Sequence, residues 1–318
     1  MRKGYIYILI VSSALAAVLC AACVKSETDG SNVISFSPVA SKATKAIIEG
    51  TTFPTSESFV VSAYHNGTAA YFEGLTASYN SSIQLWETTT PEYWPLEGSL
   101  TFHAYSPTGI SGASISSAGV AFEDYAVQTA SQMTTDLLYA SATVDDCANH
   151  PASVPLSFSH ALSQIVFKVK AEAYYENVSL SMTSLSLSGI YSVGDFANSA
   201  WSNQESAQNY TLSSSATALT YGDGNVPNTL DVCAYLYLPQ TISADARLNV
   251  GYTISQTVSG TPYTVENPPV AIPLSNTVTE WQPGKKYIYT INIGLDNLIT
   301  FTASTVAWDE QSGGVVVE

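Results

Sequence analysis

The chain has 318 residues, 46% of them hydrophobic and only 11% charged, and its formal net charge at pH 7 is −16. Cations this sparse make nucleic acid and anionic membrane surfaces poor partners, because both are gripped through clustered Lys and Arg. The length exceeds that of a usual β-sandwich, so two domains are expected.

Arg2 and Lys3 form a basic head before an uncharged run over residues 4–24, with its apolar heart at 5–19. That is the layout of a secretory signal peptide, which would occupy residues 1–22. The run ends in small residues leading into a cysteine, which resembles the lipobox of bacterial lipoproteins. Cys23, preceded by Ala22, is the expected acylation site; Cys20 follows the bulky Leu19 and fits less well. Cys147 and Cys233 then remain; an exported setting permits them to pair across the domain boundary, but with the first in a loop and the second in a strand the favoured reading is two unpaired thiols. Residues 26–41 are polar, weakly patterned and acidic near the cysteine, so 23–45 reads as a solvated tether or pro-segment. Lys42 and Lys45 close it, and structure is expected to start at Ala46, Ile47 and Ile48.

From there the pattern is strand after strand. A run over 59–64 turns at Asn66-Gly67 onto 69–72, the strongest short hairpin signal, since both turn positions need positive φ. Leu100, Phe102 and Ala104 alternate with Thr101, His103 and Tyr105. Pro151 and Pro155 break the chain ahead of Ile165, Phe167 and Val169, which alternate with Val166, Lys168 and Lys170 and should face a second core. Further strands are expected over 232–238, 252–258, 263–265, 286–293 and 299–303, with turns at Ser259-Gly260 and Pro283-Gly284. No window holds a helical period. Short, evenly spaced strands indicate an all-β protein of two antiparallel sandwiches, 46–157 and 158–318.

The chemistry of catalysis is missing. G-x-S-x-G, G-x-G-x-x-G, the P-loop and H-E-x-x-H are all absent from the sequence, and no carboxylate pair stands out, so no enzyme, catalytic residue or cofactor is expected. Asp145, Asp146, Cys147 and His150 form the one local cluster of metal-ligand types, and a polar loop produces such a cluster by chance. His160, beside Phe158 and Leu162, reads as a hydrogen-bonded structural histidine. Trp86 and Trp94, near Pro91 and Pro95, are candidates for stacking sugar rings; the competing reading makes residues 94–96 a plug at the sandwich end.

Several stretches together carry a family likeness. They are Thr44-Lys45-Ala46 with Phe53, residues 59–64, and Tyr93-Trp94-Pro95-Leu96 followed by 100–106. Residues 136–140, 154–162 and 281–291, then Val306-Ala307-Trp308, continue it. In this order the chain resembles the fimbrillin (Mfa-like) family of exported lipoproteins of anaerobic Gram-negative bacteria. The resemblance implies two transthyretin-like β-sandwiches in a pilus subunit, carried to the outer membrane on the lipid of Cys23 and displayed on the cell surface. It also implies a cut after a basic residue near the first strand, here Lys45, where the family's best-known members have arginine. The cut frees that strand, and a strand of a neighbouring subunit replaces it. Residues 47–53 would lie near the exchange site and 298–317 would hold the donor, with Val315, Val316 and Val317 as its centre after the flexible Gly313-Gly314. The implied partners are other pilus subunits, the outer membrane, and a ligand on a host or bacterial surface. A non-polymerising surface lipoprotein that binds glycan through Trp86 and Trp94 is the alternative.

Overall fold

The computed structural model describes residues 32–40, 53–295 and 299–307. Cys23, Lys42, Lys45 and Val315, Val316 and Val317 lie outside these residues. The strands of the N-terminal half are β1 (Ser35–Phe36), β2 (Val39–Ala40), β3 (Phe59–His65), β4 (Ala69–Asn80), β5 (Leu85–Thr88), β6 (Leu100–Ser106), β7 (Ala113–Ser116), β8 (Gly119–Ala126), β9 (Leu138–Val144) and β10 (Ser157–His160). Then come β11 (Ser163–Ala171), β12 (Val178–Ala197), β13 (Ala200–Ser213), β14 (Thr217–Ala218), β15 (Leu230–Tyr237) and β16 (Gln240–Thr241). β17 (Arg247–Val258), β18 (Thr261–Pro273), β19 (Glu280–Trp281), β20 (Lys285–Ile293) and β21 (Ile299–Ala307) complete the order.

The fold is all-β, of the sandwich type. One sheet has eight strands in the order β1-β5-β4-β3-β6-β9-β10-β2. A four-stranded sheet, β15-β11-β20-β21, faces a larger sheet ordered β18-β17-β12-β8-β7, to which β13 and β14 add along β12. Local chemistry sets the hairpins. Asn66 and Gly67 have φ of 51° and 79°, and Ser259 and Gly260 have 49° and 82°, the left-handed pairs that tight hairpin turns require. Ile165, Phe167 and Val169 of β11 and Leu180, Met182, Leu185 and Leu187 of β12 are fully buried in one cluster between the two facing sheets. Period-two alternation sends the β11 set to one face, and in β12 the register shift between Met182 and Ser184 brings Leu185 and Leu187 back to the face of Leu180 and Met182.

Three expectations need correction. The sheets are mixed rather than purely antiparallel: β11 runs parallel to β20 over eight positions, and β10 runs parallel to β2. Alternation along a strand fixes its buried face but says nothing of its neighbour's direction. The cores do not divide at residue 158 either. Hairpin β7–β8 pairs through β8 with β12, and Val120, Phe122 and Tyr125 belong to the core of the C-terminal half, whereas Phe158 belongs to the N-terminal one. Finally, residues 33–40 are not a solvated tether. Ile34 and Phe36 are 0% exposed and Ala40 3%.

Candidate functional site

The segment 33–40 occupies an unusual place in the fold. Its first part, β1, pairs antiparallel with β5, matching Ser35 to Glu87 and Phe36 to Trp86. Its second part, β2, pairs parallel with β10, matching Val39 to Ser157 and Ala40 to Phe158. These are the two ends of the eight-stranded sheet, so one short segment joins both and closes the sheet on itself. The Ile34 amide donates to Glu92 O (2.7 Å) on one side. On the other side the Ser37 and Val39 amides donate to Val154 O (2.9 Å) and Leu156 O (2.8 Å), while the Val154 amide donates to Ser35 O (2.8 Å). Pro38 has no amide hydrogen, so it sits in this segment without leaving a donor unpaired.

The side chains reach inward. Phe36 meets Phe59 and Phe102 edge-on, each at 5.7 Å between centroids. Phe53, Phe59 and Phe158 continue the cluster at 5.0–5.8 Å. Such ring pairs add about 0.5–1.5 kcal/mol each beyond the burial itself. Residues 33–40 therefore fill a groove whose two walls are the backbones of 86–93 and 154–158 and whose floor is phenylalanine.

The remaining candidate residues are spoken for. Trp86 and Trp94 are only 5% and 4% exposed, which corrects their reading as a sugar platform. The Trp86 indole donates to Glu57 O (3.2 Å), and Tyr79 and Phe53 cover its ring. Trp94 stacks flat on His150, 4.6 Å away, and meets Phe102 edge-on. The loop cluster at 145–150 is likewise built for structure. Asp146 accepts from the Ala148 amide and from Asn149 Nδ2 (2.8 Å), and these hydrogen bonds hold its carboxyl below the ordinary value. Cys147 is buried and Cys233 half-buried, and the two thiols are not joined. Burial pushes the Cys233 thiol up to about 12. His160 is 3% exposed, with Nδ1 3.1 Å from Asp136 Oδ1 at the junction of β10 and β11. Among the described residues no group of three or more His, Cys, Asp or Glu side chains could hold a metal ion.

The C-terminal strand of the second sandwich is β21. It pairs antiparallel with β20 over nine positions, from Ile299 opposite Ile293 to Ala307 opposite Lys285. Ile299 and Phe301 are each 8% exposed. Within the stretch 298–317, then, residues 299–307 close a sheet of their own chain.

A fimbrillin-like family model matches residues 43–308. The chain belongs to that family. The matched range begins just after the segment 33–40. Among solved structures, this fimbrillin-like chain is similar to a candidate cell adhesion protein of Bacteroides uniformis, at 16% identity and a TM-score of 0.51, covering 88% of this chain and 99% of that one. A second such protein, from Bacteroides ovatus, has 15% identity and a TM-score of 0.51 over 89% of this chain and 100% of the other. At these identities the likeness is one of fold. No match is found among curated proteins.

Proposed function

We propose that this chain is a non-catalytic structural subunit of a cell-surface fimbria serving adhesion, assembled by exchange of the segment 33–40 for a strand of a neighbouring subunit. The observation that supports this reading most is that 33–40 is bonded on both edges and precedes Lys42 and Lys45. A cut after Lys45 would leave the segment attached by noncovalent contacts alone. Its departure would open two rows of unpaired backbone groups and empty the sites of Ile34, Phe36 and Ala40. An incoming strand with apolar residues two apart restores both sets of contacts, which is β-augmentation. Before the cut, acyl chains on Cys23 would hold the subunit at the outer membrane. Membership of the fimbrillin-like family and the fold shared with candidate adhesion proteins agree with this role.

The test is limited digestion of the purified chain with a lysine-specific protease, followed by gel separation without boiling. Release of the fragment ending at Lys45 together with a ladder of higher species is expected. Chains that lose the segment and stay monomeric overturn strand exchange.

A further inference from the structure

The outer face of the four-stranded sheet carries a feature that neither core uses. Since Ile165, Phe167 and Val169 point inward, Gln164, Val166, Lys168 and Lys170 point outward, as do Lys286 and Ile288 on the neighbouring β20. A cleft of about 320 Å³ opens there, lined by Gln164, Val166, Lys168, Cys233, Lys286 and Ile288. Val166 and Ile288 are 8% and 9% exposed but belong to neither hydrophobic core among the described residues. Gln164 is 1% exposed, and its Oε1 is buried with no hydrogen-bond partner among the described residues.

The face is also cationic in an acidic protein. The described cations are Lys168, Lys170, Arg247, Lys285 and Lys286, and three of these five stand on outward positions of β11 and β20. Lys168 leans on Asp231 at 2.9 Å, beside the bulge where the β11–β15 register shifts.

We propose that residues 308–318 of the same chain dock across this cleft. β21 delivers them there: Val306 lies opposite Lys286, and Ala307 opposite Lys285. In the sequence Asp309 and Glu310 follow at once, two carboxylates that suit a cationic face, and Val315, Val316 and Val317 follow after Gly313-Gly314. From β21 to β15 is three strand spacings, roughly 14 Å, while nine extended residues reach about 30 Å. Carboxylates meet lysines, and valines meet Val166 and Ile288. Docking within one chain parks an apolar β-prone segment until a partner groove competes for it. The parked state itself does not depend on strand exchange, although the release does rest on that reading.

The uncut, full-length chain supplies the test. A photo-crosslinking benzoylphenylalanine in place of Val316 is expected to link within the chain to residues of β11, β15 or β20. Charge reversal by Lys168→Glu with Lys286→Glu should cut that yield at least about fivefold, since exposed opposite charges steer and hold such contacts. Asp309→Lys with Glu310→Lys should do the same without touching the cleft, which separates lost docking from a damaged sheet. Crosslinks to a second chain, to another part of the same chain, or with a yield indifferent to both charge reversals overturn the proposal. Because no polymer is needed, the result is independent of whether the digested chain forms a ladder.

Discussion

The two cores of this molecule use different aromatic chemistry. The N-terminal core is built on Phe36, Phe53, Phe59, Phe102 and Phe158 with Trp86 and Trp94, rings that mostly have no polar group to place. The C-terminal core adds Tyr125, Tyr210, Tyr237, Tyr252, Tyr287 and Tyr289. Three of these hydroxyls have assigned partners: Tyr210 donates to Val127 O (2.6 Å), the Trp281 indole donates to Tyr289 (3.0 Å), and the Gln282 amide donates to Tyr287 (2.9 Å), while the Tyr237 hydroxyl is buried without a hydrogen-bond partner among the described residues. A phenylalanine floor is non-directional and accepts any strand of suitable apolar alternation. A tyrosine core is satisfied only by particular donors and acceptors in particular places. The groove proposed to exchange its strand has the first kind of floor, and the sandwich that keeps its own β21 has the second.

Alkali should separate the cores with the largest effect. Burial pushes Tyr125, Tyr210, Tyr237 and Tyr289 above the ordinary phenol value, all in the C-terminal core. Because the folded values are raised, their stabilisation is complete below the unfolded value near 10 and is lost as pH rises beyond it. Each group then costs roughly 1.4 kcal/mol per pH unit, so four cost on the order of 5 kcal/mol at about pH 11. Urea unfolding followed at pH 9 and pH 11, with hydrogen exchange to localise the loss, should show β11, β12 and β20 weakening before β3 and β6. Equal weakening of both regions breaks the comparison.

Phe36→Ala comes next. It empties a fully buried site ringed by Phe59 and Phe102 and should cost about 3–5 kcal/mol. The midpoint of urea unfolding measures it, and the same change should loosen 33–40 to proteolysis. Phe36→Tyr sharpens the point, because it keeps the ring but buries a hydroxyl on the phenylalanine floor, at about 1–3 kcal/mol.

His160→Gln should have the smallest effect. Its ring is bonded to the buried Asp136 carboxylate, and an amide preserves one donor, so a loss of about 1 kcal/mol in thermal or urea stability is expected. Polymer formation should be unchanged. Loss of a hydrolytic activity in this variant would contradict the non-catalytic role.

How much of this was legible follows from what is local. The inward face of β11, the two hairpins with left-handed turns and the long β20 are written in alternation and turn residues, and each stands where those signals put it. The candidate site was not legible. Residues 33–40 form two strands of two residues each, interrupted by Pro38, and their partners lie at 86–93 and 154–158. No window of periodicity can register so short a strand, and among Val33, Ile34, Phe36, Val39 and Ala40 only the spacing of Ile34 and Phe36, two apart, hints at a buried face. The burial of Trp86 and Trp94 was hidden for a related reason. An aromatic beside a proline fits a plug or a platform equally well until the cluster of Phe53, Phe102 and His150 around the two indoles is assembled from four distant stretches. The membership of β7–β8 in the far sheet is likewise a long-range pairing, with Tyr125 opposite Gly194.

The most direct test of the central claim is mass spectrometry of the N-terminus of this chain in polymers sheared from intact cells, beside the same chain extracted from membranes. The account predicts a membrane form that begins with acylated Cys23 and a polymer form that begins after Lys45 and lacks 33–40. Polymer chains that retain Ile34 and Phe36 would contradict it.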